Sequence, residues 1–183
     1  MPFVSRAGQK LDHAIEHFNL AVAGKTCADL GCNTGGFVDV LLQRGAAKVF
    51  AIDTGYGALE WKLRKDPRVV VMERTNAMHA ELPEKVDVVT IDVAWTRQRH
   101  ILPAARRMLA AGGFGVSLIK PHYEAAGELL KKGVLPEEMV PQVVDSVRTT
   151  VAEAGFQLSG IVESPIRGAK GNVEVLALLI PVE

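Results

Sequence analysis

The chain has no net charge: Lys and Arg together number 21, and so do Asp and Glu. That balance excludes a strongly basic nucleic-acid module and an acidic tail. Cysteine is scarce as well. The two present, Cys27 and Cys32, lie beside a glycine-rich turn, an arrangement that is neither a disulfide framework nor a four-ligand metal site. Reduced thiols and a cytoplasmic location are therefore expected. No apolar run reaches the length of a membrane span, and the polar opening MPFVSRAGQK is not that of a signal peptide. Internal repeats, low-complexity tracts and linkers are missing too, so residues 1–183 are expected to form one domain.

What is present is the composition of a soluble core, with 48% apolar and 23% charged residues. Strand-like and helix-like segments alternate through most of the chain. Thr26–Leu30, Lys48–Ile52, Val69–Met72, Val86–Ile91 and Phe114–Ile119 are short apolar runs with little alternation. Such runs suit strands buried on both faces, as in parallel sheets. Helical spacing appears at Phe37, Val40 and Leu41, at Ile101 to Leu109, and at Val140 to Val151. Phe156–Val162 and Val173–Ile180 then follow one another without a helix between them, which predicts an antiparallel hairpin. An amphipathic helix bearing Leu11, Ala14, Ile15 and Phe18 precedes the alternation, with Ser5 as its expected N-cap. Residues 1–22 thus read as a helical extension and 23–183 as a doubly wound α/β core with helices on both faces. Pro121–Pro136, holding Gly127 and Gly133, reads as a mobile loop.

Ligands of open α/β sheets bind outside the carboxyl ends of the strands. Polar residues gather there: Asp29 from the first strand, Asp53 from the second, Asn76 beyond the third, Asp92 from the fourth and Lys120 from the fifth. The turn after the first strand is the sharpest motif. A dinucleotide fingerprint requires G-x-G-x-x-G, but Asn33 stands at the middle glycine, leaving Gly31, Gly35 and Gly36. The D-x-G-x-x-x-G-G spacing resembles the turn of class I S-adenosylmethionine-dependent methyltransferases. By that resemblance, Asp29, Gly31, Cys32, Asn33, Thr34, Gly35, Gly36 and Phe37 approach the amino-acid part of the cofactor S-adenosyl-L-methionine, with Cys32 contacting it through its backbone. Asp53 would hold the ribose hydroxyls, since two adjacent hydroxyl donors suit a carboxylate. Asn76 would read the adenine edge, and Asp92 is also expected to border the cofactor.

A second constellation bears on the chemistry. Lys10 lies at the edge of the first helical stripe, Asp92 and Lys120 end neighbouring strands, and Glu174 interrupts the apolar run VEVLALLI. If the final strand runs antiparallel, its start lies on the same sheet edge, and all four converge. Each alone has a plainer reading as a solvated or turn-forming residue, but a charge inside that apolar run is poorly explained by solvation.

The segments SRAGQKL, DLGCNTGGF, QRGA, AIDTGYG, DPRVVVMERTNA, IDVAW, LIKPHYEA and GNVEVL resemble, in order, those of FtsJ-like ribose 2′-O-methyltransferases. Within them the resemblance is to the TlyA, or haemolysin-like, branch of ribosomal RNA methyltransferases. It implies a class I fold with a mostly parallel seven-stranded sheet and an antiparallel last strand. It also implies a Lys10, Asp92, Lys120 and Glu174 tetrad, with Lys120 as the base for a ribose 2′-hydroxyl. A lysine takes a hydroxyl proton only as the free amine. A second ammonium and partial burial favour that form, and two carboxylates oppose it. Members of this branch carry a small RNA-binding domain ahead of the catalytic one, and the chain begins close to the catalytic part. Ala94-Trp95 stands where the family tends to have Ser-Phe.

Arg6, Arg97, Arg99, His122, Arg167 and Lys170 lie near the active edge and are candidates for tracking phosphates of an RNA partner, ribosomal RNA or a ribosomal subunit. Trp95 is a candidate for base stacking or for packing. His79 and His100 read as surface residues, and no metal site is expected. Two other readings stay open: a small-molecule O-methyltransferase, and a non-catalytic haemolysin-like protein that binds cofactor or RNA.

Overall fold

A computed structural model describes residues 2–182. Helix α1 (Ala7–His17) leads into strand β1 (Thr26–Leu30), helix α2 (Gly36–Gln43) and strand β2 (Lys48–Ile52). A short helix α3 (Trp61–Arg64) precedes β3 (Val69–Met72), and β4 (Val86–Ile91) is followed by α4 (Gln98–Met108) and β5 (Leu109–Ile119). The turn α5 (Pro121–Glu124), helix α6 (Val140–Glu153), β6 (Phe156–Glu163) and β7 (Val175–Pro181) complete the order.

The seven strands lie in the order β3-β2-β1-β4-β5-β7-β6. Strands β1 to β5 pair in parallel, while β7 runs antiparallel to both of its neighbours. The order reverses between β1 and β4, which opens a crevice at the carboxyl ends of those strands. Alternate residues of each strand feed two cores. Ala28, Leu30, Phe50, Ile52 and Val89 face the α4 and α6 side, where Ile101, Val143 and Val147 pack. Cys27, Val49, Ala51 and Val88 face Leu11 of α1 and Phe37 and Leu41 of α2. Both faces of the central strands are covered, which is why their sequences read as unbroken apolar runs.

Four local expectations are corrected. Strand β5 begins at Leu109 rather than Phe114, because the chain passes from α4 straight into the sheet and Ala110–Gly113 is carried as an irregularity in the β4–β5 register. Ser5 does not cap α1; Arg6 occupies that position with no side-chain cap bond, and Ser5 instead offers its carbonyl to Gly8 N at 3.2 Å. Strand β7 starts at Val175, so Glu174 immediately precedes it. The 121–136 segment is hydrogen-bonded structure: α5, a 3₁₀ turn at Gly127–Leu129 and a Lys131–Val134 bridge, pinned by buried Ala125 and Leu135. The expected pairing of the last two strands is present, with β7 inserted between β5 and β6.

Candidate active site

Two cavities of about 340 and 310 Å³ adjoin along the carboxyl edge of the sheet. Gly31, Asn33, Asp92 and Ala94 line both, so the two form one cleft.

The turn from β1 into α2 forms the floor of this cleft. Gly31 has φ 86, and a Cβ there would lie 2.5 Å from the Asp92 carbonyl oxygen. Only glycine permits that approach of β1 to β4. Asp29 is completely buried beneath the turn; its Oδ1 accepts from Thr90 Oγ1 at 2.7 Å, and its Oδ2 has no partner in the described chain. Burial pushes this carboxyl up to about 8, against the opposing Thr90 hydrogen bond and with help from the charges of Asp92 and Asp53. A ligand ammonium in the larger cavity, which Asp29 lines, suits that unsatisfied oxygen.

Asp53 stands at the end of β2 and lines the smaller cavity with Asn76. Its Oδ2 accepts from Asn33 N at 2.9 Å and its Oδ1 from Gly55 N at 2.7 Å. These two bonds fix the carboxylate, and each oxygen keeps a lone pair for a ligand hydroxyl. Asn76 is exposed, and its Oδ1 accepts from Met78 N at 3.0 Å, which leaves its amide N–H groups free to meet a ring nitrogen. Cys32 lines the larger cavity, and burial pushes both thiols up, Cys27 to about 12, so neither is a nucleophile at neutral pH.

The four residues Lys10, Asp92, Lys120 and Glu174 all line the larger cavity, as two ion pairs. Lys10 Nζ donates to Glu174 Oε2 at 2.5 Å, with both residues buried. Lys120 Nζ lies 2.8 Å from Asp92 Oδ1 and donates to Val93 O at 3.1 Å. The charge within VEVLALLI is thus accounted for by a partner 164 residues away. His122 lines the same cavity but is buried, with an unpartnered Nδ1; burial holds its pKa down, Glu174 opposes this and Lys120 adds to it. It forms part of the cavity wall and not of an exposed phosphate track.

The remaining basic candidates differ from one another. Arg6 and Arg99 are exposed, and Arg6 Nη2 donates to Arg167 O at 2.9 Å. Arg97 is half-buried, Lys170 is exposed, and Arg167 is offset by Glu137 at 3.0 Å and Glu163 at 3.8 Å. His79 and His100 are exposed, and among the described residues no group of three His, Cys, Asp or Glu side chains is arranged to hold a metal ion. No described helix is long and apolar enough to cross a membrane.

Two features escaped the sequence. Trp95, 86% exposed with φ 57, stacks on Tyr123 with ring centroids 5.3 Å apart. Asp39, buried on α2, accepts from Val4 N at 2.8 Å and from Lys62 Nζ at 3.2 Å, tying the segment before α1 to the site. Trp95 itself was a candidate for stacking or packing, but its partner Tyr123 was not read; Asp39 reads as an ordinary helix charge.

The strand order, the reversed β7 and the glycine turn at the switch point define a class I S-adenosylmethionine-dependent methyltransferase fold. A methyltransferase structure of that kind from Listeria monocytogenes superposes with a TM-score of 0.71 over 98% of this chain and 100% of its own, at 20% identity. The chain belongs to the FtsJ-like methyltransferase family, whose model matches residues 3–179. It is 43% identical over 178 residues to the 16S/23S rRNA (cytidine-2′-O)-methyltransferase TlyA of Mycobacterium tuberculosis, covering 94% of this chain and 66% of that protein. It is 38% identical to Hemolysin A of Brachyspira hyodysenteriae, covering 97% of this chain and 77% of that one. A hemolysin-named structure from Streptococcus thermophilus has a TM-score of 0.97 and 39% identity, with all of this chain and 68% of that chain covered. The chain therefore spans about two thirds of the length of TlyA.

Proposed function

We propose that residues 1–183 form a methyltransferase unit that transfers a methyl group from S-adenosylmethionine to a ribose 2′-hydroxyl of ribosomal RNA. The observation that carries this reading is the convergence of two lysine–carboxylate pairs on a cavity continuous with the Gly31–Asp53 cleft. A TlyA relative with that printed activity supports the choice of acceptor.

In this reading, Asp29 would hold the cofactor ammonium, Asp53 its ribose hydroxyls and Asn76 its adenine. The bound cofactor supplies a methyl group already activated by its sulfonium. The protein's tasks are to align the acceptor oxygen and to accept its proton. Lys120 fits the second task. A neutral amine retains two N–H donors, enough for Asp92 and Val93 O, and its lone pair then occupies the third direction. Lys120 Nζ would accept the hydroxyl proton as the acceptor oxygen takes the methyl group that the cofactor would release from its sulfonium. Lys10 and Glu174 fix the opposite wall and orient the hydroxyl. Trp95, held by Tyr123, offers a face on which the base of a splayed nucleotide stacks. Arg6, Arg97, Arg99 and Lys170 supply the local positive charge that a neutral chain otherwise lacks.

The test is incubation with labelled S-adenosylmethionine and ribosomal subunits, followed by mapping of the modified nucleotide. Label at a ribose 2′-oxygen is the expected result. Cofactor binding without methylation of any subunit would favour a non-catalytic role, and methylation of small alcohols alone would favour a small-molecule enzyme.

A further inference from the structure

Two tight turns stand side by side next to the cavity wall. In the first, Lys131 N donates to Val134 O at 2.8 Å and Val134 N to Lys131 O at 3.0 Å, with Lys132 and Gly133 at φ 54 and 83. In the second, Asn172 N donates to Ala169 O at 3.2 Å, with Lys170 and Gly171 at φ 56 and 81. Positive φ at both central residues marks the type I′ turn, whose preferred pair is Asn-Gly. Both turns instead place a lysine in the left-handed region, where a long side chain is disfavoured.

The buried Asn172 binds the two turns together. Its Oδ1 accepts from Leu135 N at 3.0 Å, and its Nδ2 donates to Gly133 O at 3.1 Å and to Ala169 O at 3.0 Å. Lys170 Nζ reaches across to Lys132 O at 3.3 Å. Lys131, Lys132 and Lys170 are all exposed, and none forms an ion pair among the described residues, in contrast to nearby Arg167 with its two carboxylates. The second turn is continuous with the acceptor cavity: Gly168 and Ala169 line it, and Gly168 N donates to Asn172 O at 2.9 Å.

We infer that this twin Lys-Gly ridge is a binding site for the phosphodiester backbone of RNA, engaging the strand beside the nucleotide that enters the cavity. The inference rests on the RNA reading of the site. Three compact, unpaired ammonium groups on a stapled ridge suit phosphates and carry no information about base identity. Because Asn172 also holds Ala169 against the cavity, backbone contact at the ridge fixes the register of the acceptor.

The experiment compares the unmodified chain with a K131A/K132N/K170N variant. Asn-Gly is the better type I′ pair, so the melting temperature should hold or rise, and cofactor affinity should not change. Affinity for a ribosomal RNA fragment should fall at least about tenfold at low salt, and the slope of log affinity against log salt should become shallower by about 2, at about 0.7–0.9 per lost phosphate contact. Coincident affinities and slopes would overturn the inference, as would an unmodified chain that binds no RNA. Loss of binding to anionic phosphatidylserine vesicles with RNA binding unchanged would overturn it in favour of a membrane surface. Failure of the proposed reaction shows elsewhere, as unmethylated subunits with the unmodified chain, and leaves the salt-slope difference readable.

Discussion

The Lys10–Glu174 pair and the Lys120–Asp92 pair face the same cavity but are set in it differently. Lys10 and Glu174 have side chains 8% and 3% exposed, and they join the first helix to the residue just ahead of the last strand. Lys120 and Asp92 are more open, at 14% and 21%, and Lys120 has a further acceptor in Val93 O. A buried pair is held by the cost of leaving either charge uncompensated, and that cost is smaller for a more exposed pair. Under the proposed function, the contrast fits fixed geometry for the first pair and proton acceptance for the second.

The largest expected effect tests the open pair. Lys120→Ala should lower methyl transfer by about 10³-fold or more while cofactor affinity by calorimetry is retained, because the lost group acts on the acceptor oxygen. Lys120→Arg should not restore activity, since a guanidinium stays protonated. Near-normal turnover in that variant would remove proton acceptance from Lys120 and erase the division of labour.

The closed pair should show itself in stability. Glu174→Gln leaves the Lys10 ammonium buried without its counter-charge and should cost about 3–5 kcal/mol, which lowers the melting temperature by on the order of 10 °C. Asp92→Asn, on the open side, should lower it far less. Equal losses in the two variants would mean that exposure does not separate the pairs.

A subtler effect concerns the carboxyl beneath both pairs. Asp29 is raised from 3.8 to about 8 in the folded chain, so between those values the folded state holds a proton that the unfolded state has released. Its contribution to stability is full below pH 3.8 and is lost as pH rises through about 8. Asp29→Asn should flatten the fall of melting temperature with pH across this window, by up to about 1.4 kcal/mol per pH unit. An unchanged pH slope would show that Asp29 is ionised in the fold.

Much of this was legible in the sequence because the central strands are buried on both faces and write themselves as plain apolar runs. The glycine turn was readable because Gly31 and Gly35 take positive φ, a backbone demand that the residue type itself announces. Glu174 could be recognised as anomalous and placed on the edge with Lys10, Asp92 and Lys120 by an antiparallel final strand, but its pairing with Lys10 could not be read. What stayed hidden depends on tertiary contact. Leu109 reads as the end of a helical stripe until β4 is available to pair with it, and Ser5 reads as a cap until Arg6 is seen in that position. The 121–136 segment reads as a loop because Asn172, which holds part of it, lies far along the chain. The stacking of Trp95 on Tyr123 likewise depends on two strand ends meeting.

The 164-residue separation of Lys10 and Glu174 also bears on the order of events during synthesis. Chains emerge N-terminus first, and domains fold as units. Helix α1 is therefore made early with a lysine that has no counter-charge, and burying it stays unfavourable until the segment leading into β7 is present. The glycine turn, Asp53 and Asp92 all precede that point in the chain, whereas the larger cavity has its full lining only with Glu174. The ion pair in this way acts as a completion mark: the wall opposite Lys120 exists only once nearly the whole domain has been made.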